Sequence, residues 1–189
     1  MDRACLDAQA IQNSVSNNIC LSINISPKQH QDPGFFDKTL EIVRQYPLER
    51  IHVVLEITER AAMELSAELK KKMEYMKEQG LEFSLDDFGM GHNSLVQLQE
   101  GCFNEVKIDG NLVSQLPNNK STREIISGIV QMSQNLNCRT IAEFVETEEQ
   151  RDMLLSLGCV IYQGYYYSKA LPPEEFLEYI SRLPKQNKR

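Results

Sequence analysis

Eight residues of this sequence carry groups suited to metal or phosphate chemistry at regular intervals: Asn24, Glu56, Asp86, Asp87, Lys107, Asp109, Glu143 and Gln163. Asn24, Glu56, Asp86 and Asp87 are hard oxygen donors, matched to Mg2+ or Mn2+ rather than to softer metals. Adjacent aspartates suit two metals a few ångströms apart, the arrangement that clamps the attacking and leaving oxygens of a phosphodiester. Lys107 would neutralise charge on the attacking water or the phosphate. Glu143 would accept the water's proton. Asp109 and Gln163 would support the site, Gln163 by hydrogen bonding. Each residue by itself also has a plainer reading, as a strand-end carboxylate capping the next helix or as a solvated lysine. It is their joint occurrence at the ends of successive elements that argues for a site.

Those elements are short apolar runs alternating with helical patterns. Strands are expected near residues 18–24, 51–56, 81–86, 104–109, 138–143 and 159–163. Ala62, Leu65, Leu69, Met73 and Met76 follow helical spacing up to Gly80, and Ile125, Ile129, Met132 and Leu136 do the same further on. Thr147 has the character of an N-cap, with Glu148 and Glu149 in the first turn and Gly158 after the last. Pro172 and Pro173 introduce a final amphipathic helix carrying Phe176, Leu177 and Ile180. Residues 184–189 form a basic tail after a single domain over 1–183.

Strand-helix alternation implies a parallel α/β sheet. Side-chain parity narrows the choice: Phe83 and Leu85 oppose Ser84 and Asp86, and Val106 and Ile108 oppose Lys107 and Asp109. Polar groups at the ends of several strands are what a (β/α) TIM-type barrel places at its C-terminal face, whereas a doubly wound sheet concentrates its site at one switch point. The expected fold is therefore an incomplete barrel, with about six of the eight βα units present.

Composition sets further bounds. The chain has 189 residues, a hydrophobic fraction of 41% and a net charge of −7. That charge disfavours sequence-independent binding to DNA or other long nucleic acids, yet a small phosphate ligand held through cations remains compatible with it. No run of about 18 apolar residues is present to span a membrane, and Met1 opens no secretory signal. Five widely spaced cysteines without a CxxC pair fit reduced thiols, small buried hydrophobes of a cytoplasmic protein. Any membrane anchor would belong to another part of a parent protein. His30, His52 and His92 fit no metal-ligand spacing.

The motifs resemble those of the EAL-domain family of cyclic di-GMP phosphodiesterases. Leu21-Ser22-Ile23-Asn24, Leu55-Glu56-Ile57-Thr58-Glu59, Asp86-Asp87-Phe88-Gly89, Lys107-Ile108-Asp109, Ala142-Glu143-Phe144-Val145-Glu146 and Gln163-Gly164-Tyr165 occur in the family's order. The resemblance implies Asn24, Glu56 and Asp86 around a first metal, with Asp86 and Asp87 reaching a second. It also implies that Glu59 tethers the loop after Asp87, a loop that couples the site to a dimer interface, so homodimerisation or self-association is expected. The implied substrate is cyclic di-GMP, opened to linear pGpG. Met90, Asn93 and Phe144 depart from the usual pattern; Gly is common at position 144. No Glu-Ala-Leu triplet occurs, so a metal-binding Glu and a phosphate-contacting Arg have no counterpart here. A truncated chain of weak or no activity is the resulting expectation. The alternatives are a non-catalytic cyclic di-GMP-sensing or protein-interaction module, and a barrel glycosidase using Glu56 and Glu143 as paired carboxylates.

Overall fold

Parallel strands joined by helices dominate the computed structural model, which describes residues 1–13, 18–32, 34–89 and 95–182. In chain order the elements are α1 (Asp2–Gln12), β1 (Ile19–Asn24), α2 (Pro27–His30), α3 (Phe35–Gln45), β2 (Ile51–Thr58), α4 (Glu59–Ala62), α5 (Ala67–Glu78), β3 (Glu82–Phe88), α6 (Leu95–Gln99) and β4 (Glu105–Ile108). There follow α7 (Gly110–Gln115), α8 (Lys120–Asn135), β5 (Arg139–Ala142), α9 (Glu148–Ser156), β6 (Ile161–Tyr162) and α10 (Pro173–Ser181). The six strands form one sheet in the order β1-β2-β3-β4-β5-β6. A strictly sequential parallel order is the topology of a (β/α) barrel and has no switch point. Six strands against the eight of a complete barrel make it an incomplete one. The tail at 184–189 and loop residues Met90, His92 and Asn93 lie outside the described residues.

The chain divides into two compact units. The first comprises 1–55, 72–82 and 170–189. Its core includes Cys5, Phe36, Leu40, Val54, Leu55, Met73 and Met76. The second comprises 56–71 and 83–169. Its core includes Ile57, Phe83, Leu85, Leu98, Val106, Ile108, Leu116, Ile126, Val130 and Leu154. Within it β3, β4 and β5 run parallel, and β5 pairs with β6.

Several local expectations are met. Thr147 caps α9 in a capping box with Gln150, and Gly158 follows the helix at φ +89°. Pro172 and Pro173 open α10, whose Phe176, Leu177 and Ile180 are half-buried.

Two helical readings need correction. The periodic stretch from Ala62 to Met76 is two helices, because Ser66 starts a new one by accepting the Leu69 N–H through its Oγ at 3.2 Å. In α8 the buried stripe is Thr122, Ile126, Ile129, Val130 and Ser133, with Ile125 half exposed to solvent. Asn119 accepts from the N–H groups of Ser121 and Thr122 and so fixes where the helix starts. Packing then selects the neighbouring stripe one residue on. The cysteines are free, and four are buried, while Cys20 on β1 is exposed.

Candidate metal and phosphodiesterase site

The clustered polar residues of the second unit stand at or near the C-terminal ends of their strands. Glu56 is on β2, Asp86 and Asp87 on β3, Lys107 on β4, and Glu143 directly follows β5. Lys107 is 4% exposed and brings three of the acids together. Its Nζ lies 2.8 Å from Glu143 Oε1, 3.1 Å from Glu56 and 3.4 Å from Asp86 Oδ1. A buried ammonium needs partners of opposite charge, and buried carboxylates need a cation, so the four groups hold one another in place.

Asp87 joins this cluster through a break in the strand. Leu85 pairs with Val106 and Phe88 with Ile108, so β3 carries one residue more than β4 between these pairs. That is a β-bulge. Asp87 occupies it at φ +58°, a left-handed conformation that aspartate tolerates better than most residues. In a regular strand adjacent side chains would point to opposite faces. Here Asp86, Asp87 and Glu143 each present a carboxylate oxygen, all within 4.8 Å of one another.

The electrostatics are those of an acidic pocket. Burial pushes the Glu143 carboxyl above its usual range, and the hydrogen bond and charge of Lys107 pull it partly back. Burial also raises Asp87, with the neighbouring Asp86 charge adding to it. For Lys107 burial works in the opposite direction, but the Glu143, Asp86 and Glu56 carboxylates overcome it and hold the ammonium above its ordinary value. One ammonium faces four carboxylates, leaving a negative surplus that a cation would balance. Asp86, Asp87 and Glu143 are hard oxygen donors at the separation a single ion needs, so the donor set fits a divalent cation.

Asp109 is buried and caps α7, accepting from the backbone and side-chain nitrogens of Asn111 at 2.8 Å each. Glu59 is buried as the first residue of α4. Gln163 has an exposed side chain. Its backbone is pinned at the end of β6, donating to Ala142 O at 2.8 Å and accepting from Val145 N at 3.0 Å. Asn24 ends β1 in the first unit and is exposed.

A family profile described as "EAL domain" matches residues 1–170. The chain belongs to the EAL family. Signaling protein YkoW of Bacillus subtilis is 31% identical over 186 residues, which is 98% of this chain and 23% of YkoW. The bifunctional diguanylate cyclase/cyclic di-GMP phosphodiesterase MucR of Pseudomonas aeruginosa is 31% identical over 94% of this chain and 26% of its own length. This EAL chain thus spans about a quarter of those relatives. The solved phosphodiesterase part of MucR, in complex with c-di-GMP, superposes with a TM-score of 0.83 at 31% identity, covering 93% of this chain and 71% of that one. Klebsiella pneumoniae BlrP1, solved as a manganese/cyclic di-GMP complex, superposes at 0.76 with 25% identity over 88% of this chain and 43% of its own.

Two features of this EAL chain escape a linear reading of its motifs. Glu143 is expected as a proton acceptor, and its carboxylate also lies close enough to the aspartate pair to form one candidate cation site with them. Phe144 adopts φ +54°, again left-handed. A bulky residue between two acids gave no sign of that; the family's usual Gly at this position is the hint.

Proposed function

We propose that this chain is the cyclic di-GMP-binding and hydrolytic part of an EAL phosphodiesterase, working through two divalent cations. The observation that supports it most is the convergence of Glu56, Asp86 and Glu143 on Lys107, with Asp87 beside them. MucR and BlrP1, both solved with cyclic di-GMP, supply the substrate class.

Glu56 and Asp86 are the proposed donors to one Mg2+ or Mn2+, and Asp86, Asp87 and Glu143 to the other. For Asn24 the support is its sequence motif. The cations would supply Lewis acidity toward the phosphate and lower the pKa of the attacking water. Glu143, its carboxyl raised by burial, accepts a proton from that water. Lys107 holds Glu143 in place and offsets negative charge as the P–O bond of the cyclic dinucleotide breaks. The product is linear pGpG, with a terminal phosphate and a free sugar hydroxyl. Asp109 supports β4 and α7, Gln163 borders the ligand, and the loop that Glu59 is proposed to tether lies outside the described residues. The proposed location is cytoplasmic; among the described residues no helix is long and apolar enough to cross a membrane.

A second reading is a non-catalytic cyclic di-GMP sensor or interaction module. Such a module needs a ligand-binding face but no Glu-Ala-Leu triplet, and these 189 residues contain none. The test follows pGpG release with Mn2+, for the 189-residue chain and for a fusion carrying a family member's Glu-Ala-Leu segment ahead of Met1. Slow release by the chain and faster, chelator-sensitive release by the fusion support hydrolysis. Binding without release by either supports the sensor.

A further inference from the structure

Phe144 combines three properties that seldom coincide. Its backbone is left-handed at φ +54°, a conformation that residues with a Cβ rarely adopt. Its side chain is large and apolar, yet the residue is 64% exposed. It directly follows Glu143, whose carboxylate meets Lys107 at 2.8 Å.

The conformation has a clear local effect. Glu143 N–H donates to Ile108 O, while the next ladder bond runs from Val145 N–H to Gln163 O. Phe144 lies between those two bonds and is turned out of the sheet. Its ring then rests on Gly110, the first residue of α7, where any side chain would collide with ring atoms. The missing side chain at Gly110 is what gives the ring its seat. A strained, exposed aromatic held in a fixed pose beside a reactive centre points from the outlier to a function.

We propose that Phe144 is a stacking platform for a guanine base of the bound cyclic dinucleotide. This rests on the function proposed above. The phosphate of such a ligand would lie at the Glu143–Lys107 cluster, and its bases must lie to the side of that cluster. Phe144 is the neighbouring residue in sequence and offers an aromatic ring seated on Gly110 and largely open to solvent. Nucleobases stack on exposed aromatic rings of this kind whatever their hydrogen-bonding edge.

The chain has no tryptophan, so Phe144→Trp introduces its only indole at the site in question. Titrating that variant with cyclic di-GMP in Ca2+ should quench the indole emission saturably. Phe144→Gly suits the left-handed backbone and should keep the melting temperature, while weakening cyclic di-GMP binding by about tenfold in calorimetry. If the unmodified chain and Phe144→Gly bind equally well, the platform is overturned and the proposed function stands. Loss of self-association in Phe144→Gly with unchanged binding overturns it too and makes the ring a protein contact. If the unmodified chain binds no cyclic di-GMP in Ca2+, both proposals fall.

Discussion

Lys107 lies closer to Glu143, at 2.8 Å, than to either of its other carboxylate partners. The proposed proton acceptor is therefore bound to the one buried cation of the cluster. Proton affinity and position are set together: removing the ammonium would free Glu143 to move and would leave the acids to repel one another.

Lys107→Met should accordingly destabilise the chain by about 3–5 kcal/mol, the usual consequence of stranding buried charge. Urea denaturation in chelator measures this. Added Mn2+ should restore more stability to the variant than it gives the parent, because a cation can replace the lost ammonium. An unchanged denaturation midpoint in Lys107→Met would show that the cluster is not held by its charge.

Asp86→Asn should abolish Mn2+-dependent turnover of cyclic di-GMP in the fusion carrying the Glu-Ala-Leu segment. Asp86 touches Lys107 and belongs to the acidic triad, and an amide is a far weaker donor to a hard cation than a carboxylate. Calorimetric Mn2+ titration gives the same answer without activity. Hydrolysis persisting in excess chelator would remove the metals from the mechanism.

Glu143→Gln keeps the side-chain shape and an oxygen for Lys107 but loses the base. The rate should fall on the order of 10²- to 10⁴-fold, with cyclic di-GMP affinity changed much less. Mn2+ affinity should fall in parallel, because Glu143 is also a proposed donor beside the aspartate pair; full activity in the variant would exclude it as the base.

Cys159 offers a pH test remote from these acids. Burial lifts its thiol from the ordinary 9.0 to about 11, partly offset by backbone contacts. The folded form thus retains its proton after the unfolded form has lost it. The associated stability is fully present below pH 9.0 and disappears as pH rises through about 11. Denaturation midpoints across that window should fall more steeply for the parent than for Cys159→Ala. Parallel curves would show that the thiol does not contribute.

Among the described residues the strand order ends at β1 and β6, and beside β6 Val160 is 66% exposed. Terminal strands with open backbone groups recruit further strands. Sedimentation of the 189-residue chain should show concentration-dependent self-association. A strictly monomeric chain across the concentration range would count against open edges.

Much of the site was legible because strand parity and strand ends are written in linear order. Asp86 and Lys107 could be aligned from alternation and Glu56 and Glu143 from their places at strand ends, and the structure does bring the four together. Elements with side-chain caps, such as α9 behind Thr147, were equally readable. What stayed hidden depends on backbone hand and on neighbours distant in sequence. The bulge at Asp87 shows only against β4. The seat of Phe144 needs Gly110 beneath it. The buried stripe of α8 begins at Thr122 because Asn119 starts the helix there, and Ile125 is as apolar as Ile126.

The left-handed backbone at Asp87 also narrows the alphabet open to that position. Glycine, asparagine and aspartate accept such a conformation readily, and among them only aspartate carries charge. Glutamate retains the charge but adopts that backbone poorly. The ranking of replacements should therefore reverse ordinary similarity: Asp87→Asn leaves the bulge intact with a weakened donor, whereas Asp87→Glu, the nominally milder exchange, disturbs the chain that aims Asp86. Drift at this residue has almost nowhere to go, because shape excludes one neighbour in chemical space and charge excludes the others.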